Sequence, residues 1–123
     1  GLSGKTSDFR GIIEGVEQGD ENCQQAFDIY CYRLAKYIAS YYVAVGKVDA
    51  LIFTGGIGEN SLPMRSAVLK LLEGFGFVED ESANATARFG NSGLITKAGS
   101  TKAFVIPTNE ELVIAQGAAE FAK

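Results

Sequence analysis

The chain has 123 residues, 46 % of them apolar, and a net charge of -4, enough for one domain with a real core. The acidic balance argues against a nucleic-acid partner, which would call for clustered Lys and Arg. There is no run of 18 apolar residues to span a membrane, and the start "GLSGKTSDFRG" is not a secretory signal; it opens as though cut from a longer chain.

In chain order, Ser7 is placed to cap a short helix with Phe9, Ile12, Ile13 and Val16 along one side, weakened by Gly11 and Gly15. The stretch "EQGDEN" breaks it. Asp20 or Asn22 then starts the longest helix, from about 21 to 45. Its stripe of Cys23, Phe27, Tyr30, Cys31, Leu34, Ile38, Tyr41, Tyr42 and Val45 recurs at threes and fours, the period of a core-facing face. The tyrosines near its end, Tyr37, Tyr41 and Tyr42, are expected to pack with wet hydroxyls. Gly46 supplies the stop. Cys23 and Cys31 are eight positions apart, roughly 12 Å along a helix axis, whereas a disulfide needs Cα atoms within about 7 Å. They are expected to be buried thiols in a reducing compartment.

Residues 48–54, "VDALIFT", predict a short strand buried on both faces. The glycine segment "GGIGEN" follows, and Ser61 is placed to cap a helix from about 62 to 74, with Leu62, Val68, Leu71, Leu72 and Phe75 on its apolar side and Pro63 tolerated in the first turn. "GFGFVED" predicts a turn and a short strand, and "ESANATARFGNSG" a helical turn and loop. "LIT" at 94–96 and "KAFVI" at 102–106 predict two strands joined tightly by "KAGS". "PTNEE" then leads into a last helix over about 109–122, with Thr108 and Glu111 as a capping box. The order helix, helix, strand, helix, strand, strand, helix predicts an α/β layer architecture.

Strand, glycines, helix is an arrangement that brings bare backbone close to a ligand. The dinucleotide fingerprint is incomplete, because Gly56 and Gly58 supply its first two glycines but Ser61 stands at the third. A phosphate-binding P-loop is excluded because no Lys follows the glycines. On the residues alone, ligand contact and a purely structural turn both stay open. Glu59 and Asn60 are candidate helix caps, and Arg65, one turn into the next helix, would reach a phosphate or a carboxylate. The chain has no His, so chemistry that needs an imidazole base cannot run on these residues alone.

"FTGGIGENS" with "MRSAVL", "IPTNEELVIAQ" and "GLSGKTSDFR" resemble the acetate kinase family, in the order of its C-terminal portion. The resemblance covers residues 1–123. It implies an α/β fold with helices packed on a mixed sheet, as a partial lobe of the two-lobed sugar-kinase/actin-like superfamily, the C-terminal part of the nucleotide-binding lobe without an N-terminal domain. It implies phosphoryl transfer between ATP and acetate, giving acetyl phosphate and ADP, with magnesium (Mg2+), in a cytoplasmic homodimer. Propionate kinases share nearly the same motifs.

Carried over by residue, the resemblance assigns Asp8, Phe9 and Arg10 to a nucleotide-binding block that follows a serine pair, here Thr6 and Ser7. It assigns Gly56, Ile57, Gly58, Glu59 and Asn60 to the segment around the adenosine end of ATP, and Glu110 to magnesium. The family's catalytic Asp, His and Arg residues are expected upstream of Gly1, so the segment alone is expected to be inactive. The residues taken without the resemblance give plainer roles: Asp8 and Glu110 favouring helix dipoles, Arg10 in a surface ion pair. The alternatives to an enzyme fragment are a non-catalytic nucleotide-binding module and a dimerisation piece.

Overall fold

The first helix packs on the second and the second on a later one, and their buried faces share one core with a sheet that has four strands among the described residues. The computed structural model describes residues 9–87, 93–106 and 118–122. Helix α1 (Phe9–Glu17) buries Phe9 and Ile12 against α2 (Glu21–Val45). The Phe9 ring meets Tyr30 at 4.6 Å and Phe27 at 5.9 Å between centroids. A Cβ on Gly15 would run into the side chain of Cys23, so this glycine lets the two helices touch.

Asp20 caps α2 by accepting the N–H groups of Asn22 and Cys23 at 2.9 and 3.1 Å, and the helix ends at Gly46 as its sequence predicts. The buried stripe is Cys23, Ala26, Phe27, Cys31, Ala35 and Ile38. Tyr30, Leu34, Tyr41 and Tyr42 lie at its margin, half-buried, and Val45 is exposed. The seam therefore runs on alanines where the helix approaches its neighbours most closely, and its last turn leaves the core. Both cysteines are buried and unbridged. All five tyrosines lie on α2. Tyr37 and Tyr41 make an edge-on pair whose hydroxyls are 3.2 Å apart at the surface. Tyr42 instead stacks on Phe75 at 4.3 Å.

Strand β1 (Ala50–Thr54) is buried along nearly its whole length. It pairs in parallel with β3 (Lys102–Val105) on one side and β4 (Ala118–Ala122) on the other, and β2 (Gly93–Leu94) pairs antiparallel with β3. The sheet order is β2-β3-β1-β4. Leu51 and Phe53 join the helix-side core with Val68, Leu69 and Ile38.

Two expectations need correction. The final residues are strand at 118–122, not the end of a helix; residues 109–117 of that expected helix and the box at Thr108 and Glu111 lie outside the described residues. Alanine and glutamate favour helix, but β1 without a partner on this side would leave a row of unpaired backbone groups. The second concerns "GGIGEN", where three glycines leave no local reason for helix: it is the short helix α3 (Gly55–Asn60).

Helix α4 (Leu62–Leu71) starts where expected, but its buried face is Met64, Arg65, Val68 and Leu69, with Leu72 just beyond. Leu71 and Phe75, expected on the apolar side, are 50 % and 41 % exposed: Leu71 lies off the buried face of α4, and Phe75 falls past the helix end, where its ring stacks on Tyr42 of α2. A single 3-10 turn (Glu73–Phe75) leads to bridges at Phe77 and Glu79, then to α5 (Glu81–Thr86), capped by Asp80. Among the described residues no helix is long and apolar enough to cross a membrane.

Candidate functional site: the glycine segment and its buried bracket

β1 delivers the chain to the carboxyl edge of the sheet, where α/β folds gather ligand groups. Thr54 ends it in extended geometry, and Gly55, at a φ of 81°, turns the chain into α3. That positive φ suits glycine because a Cβ there would strain the backbone. Thr54 is 2 % exposed, and its Oγ1 has no hydrogen-bond partner among the described residues. It is a buried hydroxyl at the junction of strand and helix.

α3 has three glycines in six residues. A helix that short does not hold itself, and each interior glycine costs about 0.8–1 kcal/mol relative to alanine. Its shape is therefore imposed by what it touches. Ile57 packs against the core. Gly58 lies so close to β1 that a Cβ there would sit 3.3 Å from the Phe53 carbonyl carbon. The segment then ends at Ser61, whose backbone N–H donates to Ile57 O at 2.9 Å. The Ser61 hydroxyl accepts from the Met64 N–H at 3.3 Å and caps α4.

Arg65 is fully buried. Its Nη1 donates to the carbonyl of Gly58 at 2.9 Å, one of the carbonyls that a helix end leaves unpaired. Its Nε donates to Asn84 Oδ1 at 2.7 Å and its Nη2 to the Asn84 carbonyl at 2.9 Å. Asn84, also fully buried, donates from Nδ2 to Glu79 Oε2 at 2.8 Å, and Ser66 donates to Glu79 Oε1 at 2.8 Å. The guanidinium thus joins α3, α4 and α5. The sequence places Arg65 within reach of a phosphate or a carboxylate; it does not foretell the Gly58 carbonyl or Asn84 as acceptors. A signal was present: Arg65 stands three, four and seven positions before Val68, Leu69 and Leu72, on an apolar stripe.

The residues expected to form the site hang on different elements. Gly56 to Asn60 all fall in α3, beside β1 and β4. Phe9 and Arg10 open α1, which packs on α2. Phe9 is a core ring, 5 % exposed, while Arg10 is exposed. Asp8 and Glu110 lie outside the described residues. Among the described residues no three His, Cys, Asp or Glu side chains come together as a metal cage. A magnesium ion that travels with a nucleotide needs only one or two carboxylates, with phosphate and water oxygens completing its shell.

The fold has counterparts in solved structures. The chain matches the acetate kinase of Entamoeba histolytica with a TM-score of 0.83 and 31 % identity, over 89 % of this chain and 29 % of that one. It matches a propionate kinase from Francisella tularensis subsp. tularensis with a TM-score of 0.74 and 35 % identity, over 83 % of this chain and 26 % of that one. The fold is thus a mixed α/β unit of the acetate and propionate kinase type. The acetokinase family profile covers residues 1–116, and the chain belongs to the acetokinase family. It is 60 % identical to "Acetate kinase 2" of Photobacterium profundum over 116 residues, 94 % of this chain and 29 % of that protein. It is 55 % identical to "Acetate kinase" of Shewanella woodyi over 123 residues, the whole of this chain and 31 % of that protein. The chain thus spans just under a third of the curated relatives it matches.

Proposed function

We propose that this chain is the ATP-contacting part of an acetate kinase, corresponding to the C-terminal portion of its nucleotide-binding lobe. The reaction is acetate plus ATP giving acetyl phosphate plus ADP. The observation that carries the reading is the position of "GGIGEN": a glycine-rich helix at the carboxyl edge of a central parallel strand, in a chain whose relatives bear that activity in their names.

In this reading the backbone of Gly56, Ile57, Gly58, Glu59 and Asn60 lies against the adenosine end of the nucleotide, where absent side chains allow close approach. Asp8 and Arg10 act at the polar side of the nucleotide. Phe9 contributes by anchoring α1 through its buried ring, not by direct contact. Glu110 helps hold the magnesium that accompanies the phosphates, and magnesium supplies charge neutralisation during phosphoryl transfer. Acetate-side groups come from outside these residues. The working enzyme is a cytoplasmic homodimer that needs neither nucleic acid nor membrane. A propionate kinase is the second reading, favoured by the likeness to the Francisella tularensis structure; relative kcat/KM for acetate and propionate separates the two.

The test uses the intact protein. Gly56→Val places a branched side chain where the backbone meets the ligand. Nucleotide affinity should fall while the acetate KM stays near wild type. Loss of acetate affinity with intact nucleotide binding would remove the assignment. In the same experiment Glu110→Gln should shift the magnesium titration at fixed ATP or sharply lower turnover. Unchanged magnesium curves and turnover would leave Glu110 with only a helix-dipole role.

A further inference from the structure

We infer that Arg65 and Asn84 are positioning residues for nucleotide binding, setting the pose of α3 through a buried bracket. The inference rests on the reading of α3 as the nucleotide-contacting segment.

α3 is too short and too glycine-rich to define its own geometry. Among the described residues it is held by Ile57 in the core, by Gly58 against Phe53, and by the Arg65 Nη1 bond to the Gly58 carbonyl at 2.9 Å, with β4 alongside. The first two act on the β1 side of the segment. The third is a polar hold from α4, attached to the carbonyl of the residue at its centre. Its precision comes from the far end of the guanidinium. Asn84 receives Nε through its side chain and Nη2 through its carbonyl, at 2.7 and 2.9 Å. Two acceptors on one residue fix the plane of the fork, as a point charge would not.

Asn84 is itself oriented. Its Nδ2 donates to Glu79, which is held by the Ser66 hydroxyl. The amide oxygen must then face Arg65, because only the oxygen accepts from Nε. Gly58, Arg65, Asn84, Glu79 and Ser66 form one ordered chain of bonds spanning α3, α4 and α5. A loosened bracket would shift α3, and with it the backbone that meets the nucleotide, without any ligand contact of its own.

Lysine at 65 keeps the charge and reaches one partner, but it cannot hold both elements. In the intact enzyme Arg65→Lys and Asn84→Ser are the paired variants. The inference expects the ATP KM and the ADP Kd to rise about tenfold or more, the loss of a charge-assisted hydrogen bond. It expects the acetate KM to stay within about twofold and kcat at saturation to change little, the signature of nucleotide binding lost equally from ground state and transition state. A purely structural bracket predicts a lower melting temperature with unchanged nucleotide KM in the folded protein. That result would overturn the inference, and so would failure of both variants to fold at 15 °C. Gly56→Val serves as the reference. If it leaves nucleotide binding intact, the assignment of α3 is at fault. If it weakens binding and Arg65→Lys does not, the positioning role alone fails.

Discussion

Gly58 offers a direct test of how tightly α3 is pressed onto the sheet. An ideal Cβ at this position would lie 3.3 Å from the Phe53 carbonyl carbon and 3.6 Å from its Cα and Cβ. Carbon pairs prefer about 3.5–4.0 Å, so a methyl group must push by a few tenths of an ångström. The strand has nowhere to go. Phe53 is paired with Val105 and Phe121 on either side, and its carbonyl accepts the Ile106 N–H at 3.0 Å. For Gly58→Ala, the helix-propensity gain of about 0.8–1 kcal/mol opposes a strain of similar size, and the net change should stay within about 1 kcal/mol. For Gly58→Val, two further methyls enter the same space, and overpacking costs about 1–3 kcal/mol. Most of the propensity gain is lost as well, because β-branched residues are poorer helix formers. The valine variant of the intact protein should therefore be less stable by about 1–3 kcal/mol in urea unfolding with unchanged m-value. A valine variant within about 0.5 kcal/mol of wild type would refute the close approach of α3 to β1.

Two more outcomes follow from the core. Ile38 is fully buried, so Ile38→Ala should cost about 2–5 kcal/mol, measured by chemical denaturation; a loss of only a few tenths would show that α2 does not face the sheet there. Burial, and then the neighbouring Asp28 carboxylate, push the Cys31 thiol from an ordinary 9.0 up to about 12. The unfolded thiol ionises first as pH rises, so the stability tied to the protonated group is complete below about 9 and is lost progressively towards about 12. Stability of Cys31→Ala should fall less steeply over that range than wild type, and native Cys31 should resist alkylation at pH 8. Rapid modification of Cys31 in the folded protein would contradict its burial.

Much of the fold was legible in local chemistry. Asp20 and Ser61 accept hydrogen bonds from N–H groups two or three residues ahead, so a short window contains all the physics of a cap. The all-apolar "ALIF" announced a buried strand, and the spacing of Phe27, Cys31 and Ile38 announced the inner face of α2. The glycine segment was legible as a place, and its motif pointed to a family that the comparisons bear out. Its helical shape was not legible, since three glycines disfavour helix locally and contacts with Phe53, the core, β4 and Arg65 impose it. The strand at residues 118–122 had the same cause: helix-favouring alanines yield to the unpaired edge of β1, more than sixty residues earlier. Arg65 had to be seen in three dimensions, because an arginine on an apolar stripe is intelligible only when Gly58 and Asn84 arrive to accept its protons. The sequence by itself determined the caps of α2 and α4 and the inner stripe of α2, because those depend on neighbours within about one helical turn. The tertiary structure alone decided which edges pair and which buried charge is satisfied, because those partners lie far along the chain.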